Sequence, residues 1–257
     1  MTGDDHVLAR DLAGQAGQRL LELRAQGGDP DVLRKAGDRL SHEFLTAALA
    51  GQRPGDVVLS EEGADNPARL GARRVWIVDP LDGTREFGEP GRSDWAVHVA
   101  LWEKGDVSGP GDLTAGAVAL PAQDQVLSTA EPSAPLPEDA APAPLRIVVS
   151  RSRPPSFVRN ISGLINAELV PLGSAGAKVA AVICGEVDAY VHGGGFYEWD
   201  TAAPVAVARA AGLHASRIDG SALAYNQPDL LMPDILVCRP AVAGILLRAI
   251  REVTHAS

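Results

Sequence analysis

The chain of 257 residues is 46% hydrophobic and 22% charged, with a formal net charge of −10. Those proportions fit an ordinary globular protein with one large or two modest cores, and the acidic balance argues against general nucleic-acid binding. No apolar run reaches the length of a membrane span, and Met1-Thr2-Gly3-Asp4-Asp5 lacks the basic and hydrophobic segments of a leader; a cytoplasmic protein with no membrane or nucleic-acid polymer as partner is expected.

In chain order, Val7, Leu8, Leu12, Ala16, Leu20 and Leu23 recur at helical spacing, and a second helix carries Leu40, Phe44, Leu45, Ala48 and Leu49, with Gly51 near its end. Short strands are predicted at 57–60, ending beside Glu61, and at 75–78, delivering Asp79. Further strands are predicted over 94–103, 115–120 and 125–129. The Pro/Ala-rich stretch 132–144 cannot hold a helix and reads as a surface connection between an N-terminal half, 1–144, and a C-terminal half, 145–257. The second half alternates strand and helix: strand 145–149, helix 156–166, strand at 169–170, helix 175–184, strand 187–191, helix 201–211, strand 235–237 and helix 241–253. That alternation predicts a layered α/β unit. Cys184 and Cys238 each sit in an apolar stretch and are expected to be buried, reduced thiols.

Chemistry concentrates in acidic segments: Glu61-Glu62, then Asp79-Pro80-Leu81-Asp82-Gly83-Thr84, then Trp199-Asp200. Asp-Pro and Asp-Gly are common turn dipeptides, and either alone would be read as a surface turn. Two acids three residues apart at a strand end, with Gly-Thr after them and Glu-Glu before, point further. Glu61, Asp79, Asp82 and Asp200 are hard oxygen donors suited to Mg²⁺, and gathered in one place they would repel one another without a cation. Gly83 permits close approach of a phosphate to the backbone. Asp200 is placed as the N-cap of the following helix, with Pro204 in its first turn.

These motifs resemble the magnesium-dependent, lithium-sensitive phosphatases, which include inositol monophosphatases, fructose-1,6-bisphosphatases and 3′(2′),5′-bisphosphate nucleotidases. The shared pattern is matched by Asp38, Glu61-Glu62, the run Asp79 to Thr84, Trp199-Asp200 and Gly212; it departs at Leu213, where a second glycine is usual. The resemblance implies a five-layered αβαβα sandwich and metal-assisted hydrolysis with two or three Mg²⁺ per site. It assigns Glu61, Asp79 and the carbonyl of Leu81 to one ion, and Asp79, Asp82 and Asp200 to a second. It gives Thr84 the orientation of a water, with Asp38 as its partner, and lets Glu61 assist proton removal. Inhibition by Li⁺ and a homodimer are further implications.

Within that family, inositol monophosphatases usually carry an acidic residue seven positions before the Trp-Asp aspartate, where this chain has Gly193. The bisphosphate nucleotidases match better: Glu198 to Ala203 resembles their Glu-Trp-Asp-Thr-Ala-Ala, and Val148 to Ser152 resembles their strand followed by Ser-Arg-Ser, with Arg153 where histidine is usual. Arg151, Arg153 and Lys178 are candidate cations for a second phosphate, Gly83, Thr84 and Asp200 border the reacting one, and Tyr197 is a candidate to stack on a base. The expected substrate is a nucleoside bisphosphate, 3′-phosphoadenosine 5′-phosphate, a by-product of sulfate assimilation. Inositol-1-phosphate or fructose-1,6-bisphosphate is the alternative, and a non-catalytic metal-binding regulator is a remote third.

Overall fold

The computed structural model describes residues 4–105, 110–136, 144–152 and 154–255. Helical periodicity near the N-terminus becomes α1 (Asp5–Ala25) and α2 (Pro30–Gln52). The second helix starts well before its first predicted apolar residue. Asp29 caps it by accepting from the amides of Asp31 and Val32, and Pro30 fits the first turn, where no amide hydrogen is needed. There follow β1 (Val57–Ser60), β2 (Arg74–Asp82), the short α3 (Thr84–Gly88), β3 (Ala96–Glu103), β4 (Asp112–Leu120) and β5 (Gln125–Ser128). These strands form one sheet in the order β1-β2-β3-β4-β5, parallel at β1–β2 and antiparallel elsewhere.

The second half supplies β6 (Arg146–Ser150), α4 (Ser156–Ile165), β7 (Glu168–Leu172), α5 (Ala175–Ile183), β8 (Ala189–His192), β9 (Phe196–Tyr197), α6 (Glu198–Ala210), β10 (His214–Ser216), β11 (Leu231–Met232), β12 (Ile235–Cys238) and α7 (Pro240–His255). Its sheet runs β10-β12-β8-β6-β7, while β9 and β11 pair as a separate ribbon. The strand expected at 187–191 is shifted to Ala189–His192, and β9, β10 and β11 are too short to show a pattern of their own. Of the proline-rich stretch, residues 137–143 lie outside the described residues, as does Arg153.

Alternation along the strands builds the layers. Trp76, Val78, Val97, Val99 and Leu101 face α1 and α2, packing on Leu12, Leu20, Leu45 and Leu49. Val75, Ile77, Ala96 and Ala100 face the opposite way, into a core shared with α5, α6 and the second sheet. Val158, Ile161, Leu246 and Ile250, from α4 and α7, cover that sheet's far face. The result is a five-layered αβαβα sandwich. Its central helix layer sits close to the first sheet: a Cβ on Gly116 of β4 would stand 2.8 Å from the Cβ of Ala206 in α6, so the strand presents a bare backbone there.

Two details differ from expectation. Cys238 is buried, but Cys184 is exposed, because the apolar run of α5 ends there and Cys184 becomes the helix C-cap. Leu213, in place of the usual second glycine, tucks its side chain into the core, and the turn is made by Gly212 alone at φ +79°.

Candidate active site

The Asp79-Pro80-Leu81-Asp82 motif does not follow a strand; it lies within one. β2 continues through Asp79-Pro80-Leu81-Asp82, and its pairing with β3 shifts register between Asp79 and Asp82. A proline is tolerated at such an irregularity because a ladder amide is missing there in any case. The irregularity re-aims the carboxylates, and Asp79 folds back to accept from the Leu81 amide at 3.0 Å. Gly83 then turns the chain at φ +83°, and a Cβ there would stand 2.9 Å from that of Ser174, so only glycine fits.

The third aspartate comes from the other half. Asp200 is not the N-cap of α6: the helix begins at Glu198, Tyr197 is the cap, and Asp200 occupies the third helical position, accepting from the Tyr197 amide at 2.6 Å. Pro204 accordingly lies inside the helix, where it withholds the amide that would bond the Asp200 carbonyl. Asp79, Asp82 and Asp200 each bring a carboxylate oxygen to within 4.8 Å of the others. Glu61 stands at the edge of this trio, against Asp79.

Electrostatics show what such crowding does. Burial raises Asp79 well above its ordinary value, and Glu61, Asp82 and Asp200 add repulsion. Asp200 is pushed up to about 6, by burial first and then by Asp82. Glu61 is exposed as a residue, yet protein packed around its carboxyl, followed by the charge of Asp200, raises it to about 7. Asp82 goes the other way. Burial would raise it, but His98, Lys178 and the Gly176 amide, which donates at 2.7 Å, outweigh burial and hold it low. A cluster of hard oxygen donors that cannot all ionise unaided is suited to a divalent cation, which would replace the retained protons.

Beside the trio, the Thr84 hydroxyl lies 3.3 Å from Asp38 and 3.0 Å from the Leu81 carbonyl. Asp38 is pushed up to about 6 by burial and by Glu62, with the Thr84 hydrogen bond opposing. Lys178 is buried; its Nζ donates to the carbonyls of Gly173 and, at 2.8 Å, Ser174, while burial lowers its pKa. Arg151 is already paired with Glu86 at 2.6 Å and Glu89 at 3.1 Å. Tyr197 is exposed and stacks on Trp199, with centroids 4.8 Å apart. It is absent from the lining of the cleft that opens over the aspartates.

That cleft has a volume of about 680 Å³, with Asp82, Asp200 and Thr84 on one side and Arg85, Phe157, Lys178 and His192 among the other lining residues. Several features had no sequence signal. Arg85 is exposed in the cleft and forms no ion pair among the described residues. Fully buried His98 stands 3.2 Å from Asp82 and donates to the Trp199 carbonyl at 3.1 Å. Buried Glu198 accepts from the amides of Asn226 and Gln227, each at 2.7 Å, and Asn226 in turn accepts from buried Arg69 at 2.8 Å. This tie joins the segment after Glu61 to the start of α6, and so to Asp200.

Comparison with known proteins identifies the family. The sequence profile of the inositol monophosphatase family matches residues 8–255. Among curated relatives, a 3′-phosphoadenosine 5′-phosphate phosphatase of Mycobacterium leprae is 51% identical over 255 residues, covering 97% of this chain and 94% of its own. The 3′(2′),5′-bisphosphate nucleotidase CysQ of Escherichia coli K12 is 32% identical over 236 residues, covering 84% and 91%. Among solved structures, inositol monophosphatase II of Staphylococcus aureus superposes with a TM-score of 0.80 at 22% identity, covering 97% and 96%. CysQ from Bacteroides thetaiotaomicron gives 0.77 at 28% identity, covering 91% and 97%. The chain belongs to the inositol monophosphatase family.

Proposed function

We propose that this chain is a Mg²⁺-dependent phosphatase that hydrolyses the 3′-phosphate of 3′-phosphoadenosine 5′-phosphate, consuming one water and giving AMP and inorganic phosphate. The carrying observation is the trio Asp79, Asp82 and Asp200, of which Asp82 and Asp200 line a cleft large enough for a nucleotide. The family is metal-dependent, and the trio can hold a metal ion. The identity of the substrate rests on the 51% identical relative named for that nucleotide, together with the absence of a carboxylate at Gly193.

In this reading Asp79, Asp82 and Asp200, with Glu61 and the Leu81 carbonyl, hold two or three Mg²⁺. Bound there, the ions supply charge neutralisation and a lowered water pKa. With the Leu81 carbonyl given to a metal ion, the Thr84 hydroxyl donates its hydrogen bond to Asp38, which leaves the Thr84 oxygen lone pairs to accept from a water that needs orienting. Glu61, at the edge of the trio, is placed to assist proton removal from that water. Arg85, which forms no ion pair among the described residues, places positive charge in the cleft, and buried Lys178, held by two carbonyls, adds positive charge beside Asp82 and Asp200. Arg151 instead braces Glu86 and Glu89 and contributes less charge to a ligand than its sequence position suggests. Li⁺ inhibition and a homodimer belong to the same reading.

The test is steady-state phosphate release from 3′-phosphoadenosine 5′-phosphate, inositol-1-phosphate and fructose-1,6-bisphosphate, with and without Mg²⁺ and Li⁺. A kcat/KM for the nucleotide far above the others is expected. A sugar phosphate turned over equally well would demote the nucleotide, and no Mg²⁺-dependent activity on any of them would favour the regulator.

A further inference from the structure

Gly193 leaves β8 and is exposed at the cleft, with no side chain of its own. The space a side chain would need is occupied. A Cβ built on Gly193 would meet Phe157 Cε1 at 2.6 Å, Cζ at 3.4 Å and Cδ1 at 3.5 Å. Phe157 sits in the first turn of α4, which is anchored by fully buried Val158 one residue later. The ring is half-buried: part packs on the core under α4 and α7, and part lines the cleft. Around it the wall continues in rings. His192 and Phe196 meet edge to face with centroids 5.1 Å apart, His192 and Tyr190 lie 6.1 Å apart, and all three line the same cleft.

A position that a polyol-binding carboxylate could use is therefore closed by an aromatic ring. A half-exposed phenyl surface offers no hydrogen bond to a sugar hydroxyl. It offers a flat apolar face to a planar heterocycle, which stacks whatever its hydrogen-bonding edge. We propose that Phe157 is a specificity-determining residue that stacks on the nucleobase of the substrate, and that Gly193 is glycine to admit the ring. The inference rests on the nucleoside bisphosphate reading above and assigns the base to this wall of the cleft.

The test compares Phe157→Leu, which keeps apolar volume for the core but loses the π-face, with Phe157→Trp, which keeps the face. The readouts are KM and kcat for 3′-phosphoadenosine 5′-phosphate, and inhibition constants for AMP and for inorganic phosphate, a base-free ligand of the same site. Phe157→Leu should raise the nucleotide KM and the AMP inhibition constant roughly 10-fold, leave kcat and the phosphate constant within about 2-fold, and be rescued by Phe157→Trp. An unchanged nucleotide KM in Phe157→Leu, or an equal rise for inorganic phosphate, overturns the role of Phe157 while leaving the substrate intact. Wild-type protein inactive on the nucleotide but active on a sugar phosphate overturns the function reading and this inference with it.

Discussion

The two walls of the cleft are built differently. The acidic wall is fixed by backbone: buried Asp79 and Asp82 by an irregular strand, half-buried Asp200 by the third position of α6, with amide donors from Leu81, Gly176 and Tyr197 holding each carboxylate. The rest of the lining includes side chains on first helical turns, such as Arg85 and Phe157, which keep surface in contact with solvent. Fixed dipoles and carboxylates suit a reaction that needs unchanging geometry. Half-exposed side chains suit a choice among ligands, because changing one leaves the core standing. One family can thus keep a single hydrolytic chemistry on the first wall and vary its substrates on the second.

The comparison can be broken most directly from the acidic side. Asp82→Asn should lower Mg²⁺-dependent kcat by roughly 10³-fold or more while the circular dichroism spectrum stays that of a folded protein, since several kcal/mol of transition-state stabilisation pass through the metal ligands. Retained activity would remove Asp82 from the site. Thr84→Ala should reduce kcat about 10²-fold with little change in KM, and a rise in KM alone would make Thr84 a binding group instead.

Acidity sharpens the contrast, because raised carboxylates belong to one wall. Asp79, Asp200 and Glu61 have folded-state pKa values above their ordinary ones, so cation-free protein pays nothing for them at low pH and is destabilised as pH rises through their range. Its Tm should fall between about pH 5 and about pH 8, and Mg²⁺ should restore more at the higher pH. The Mg²⁺ concentration needed for half-maximal activity should rise as pH drops through 7 and then 6, the values of Glu61 and Asp200. A flat Mg²⁺ requirement across that window would count against proton displacement. On the other wall, Arg85→Ala should raise KM for the bisphosphate about 10-fold, with less effect on a single-phosphate ester. Tyr197→Ala, outside the cleft lining, should change kcat/KM no more than about 2-fold, and a larger loss would put Tyr197 in contact with substrate.

What could be read from the chain follows the same division. Asp79, Asp82 and Thr84 are contiguous, and Glu61 and Asp200 adjoin predicted elements, so a linear scan finds the acidic wall. Even there, Trp199-Asp200 before an apolar run looks like a cap, and only the observed start of α6 moves Asp200 inward. The other wall depends on pairings that leave no mark on local sequence. Arg151 looks like an available cation until Glu86 and Glu89 are seen beside it. Phe157 looks like one more core residue of α4 until Gly193 is found beneath it. The tie from Arg69 through Asn226 to Glu198 pairs buried polar groups distant in sequence, and burial without such partners would be prohibitive. Helix–strand alternation was legible because periodicity is local, whereas the five-layer count came only with the family resemblance; strands of two or three residues carry too few alternations to register.

The close seat of α6 on Gly116 has a mechanical consequence. Asp200 lies six residues from Ala206 along the helix, a lever arm of roughly 9 Å, so a tilt of about 10° at that pivot would swing the carboxylate by roughly 1.5 Å. A single methyl group placed on Gly116, which is outside the cleft lining, would act as a wedge under that lever and shift Asp200 relative to Asp79 and Asp82.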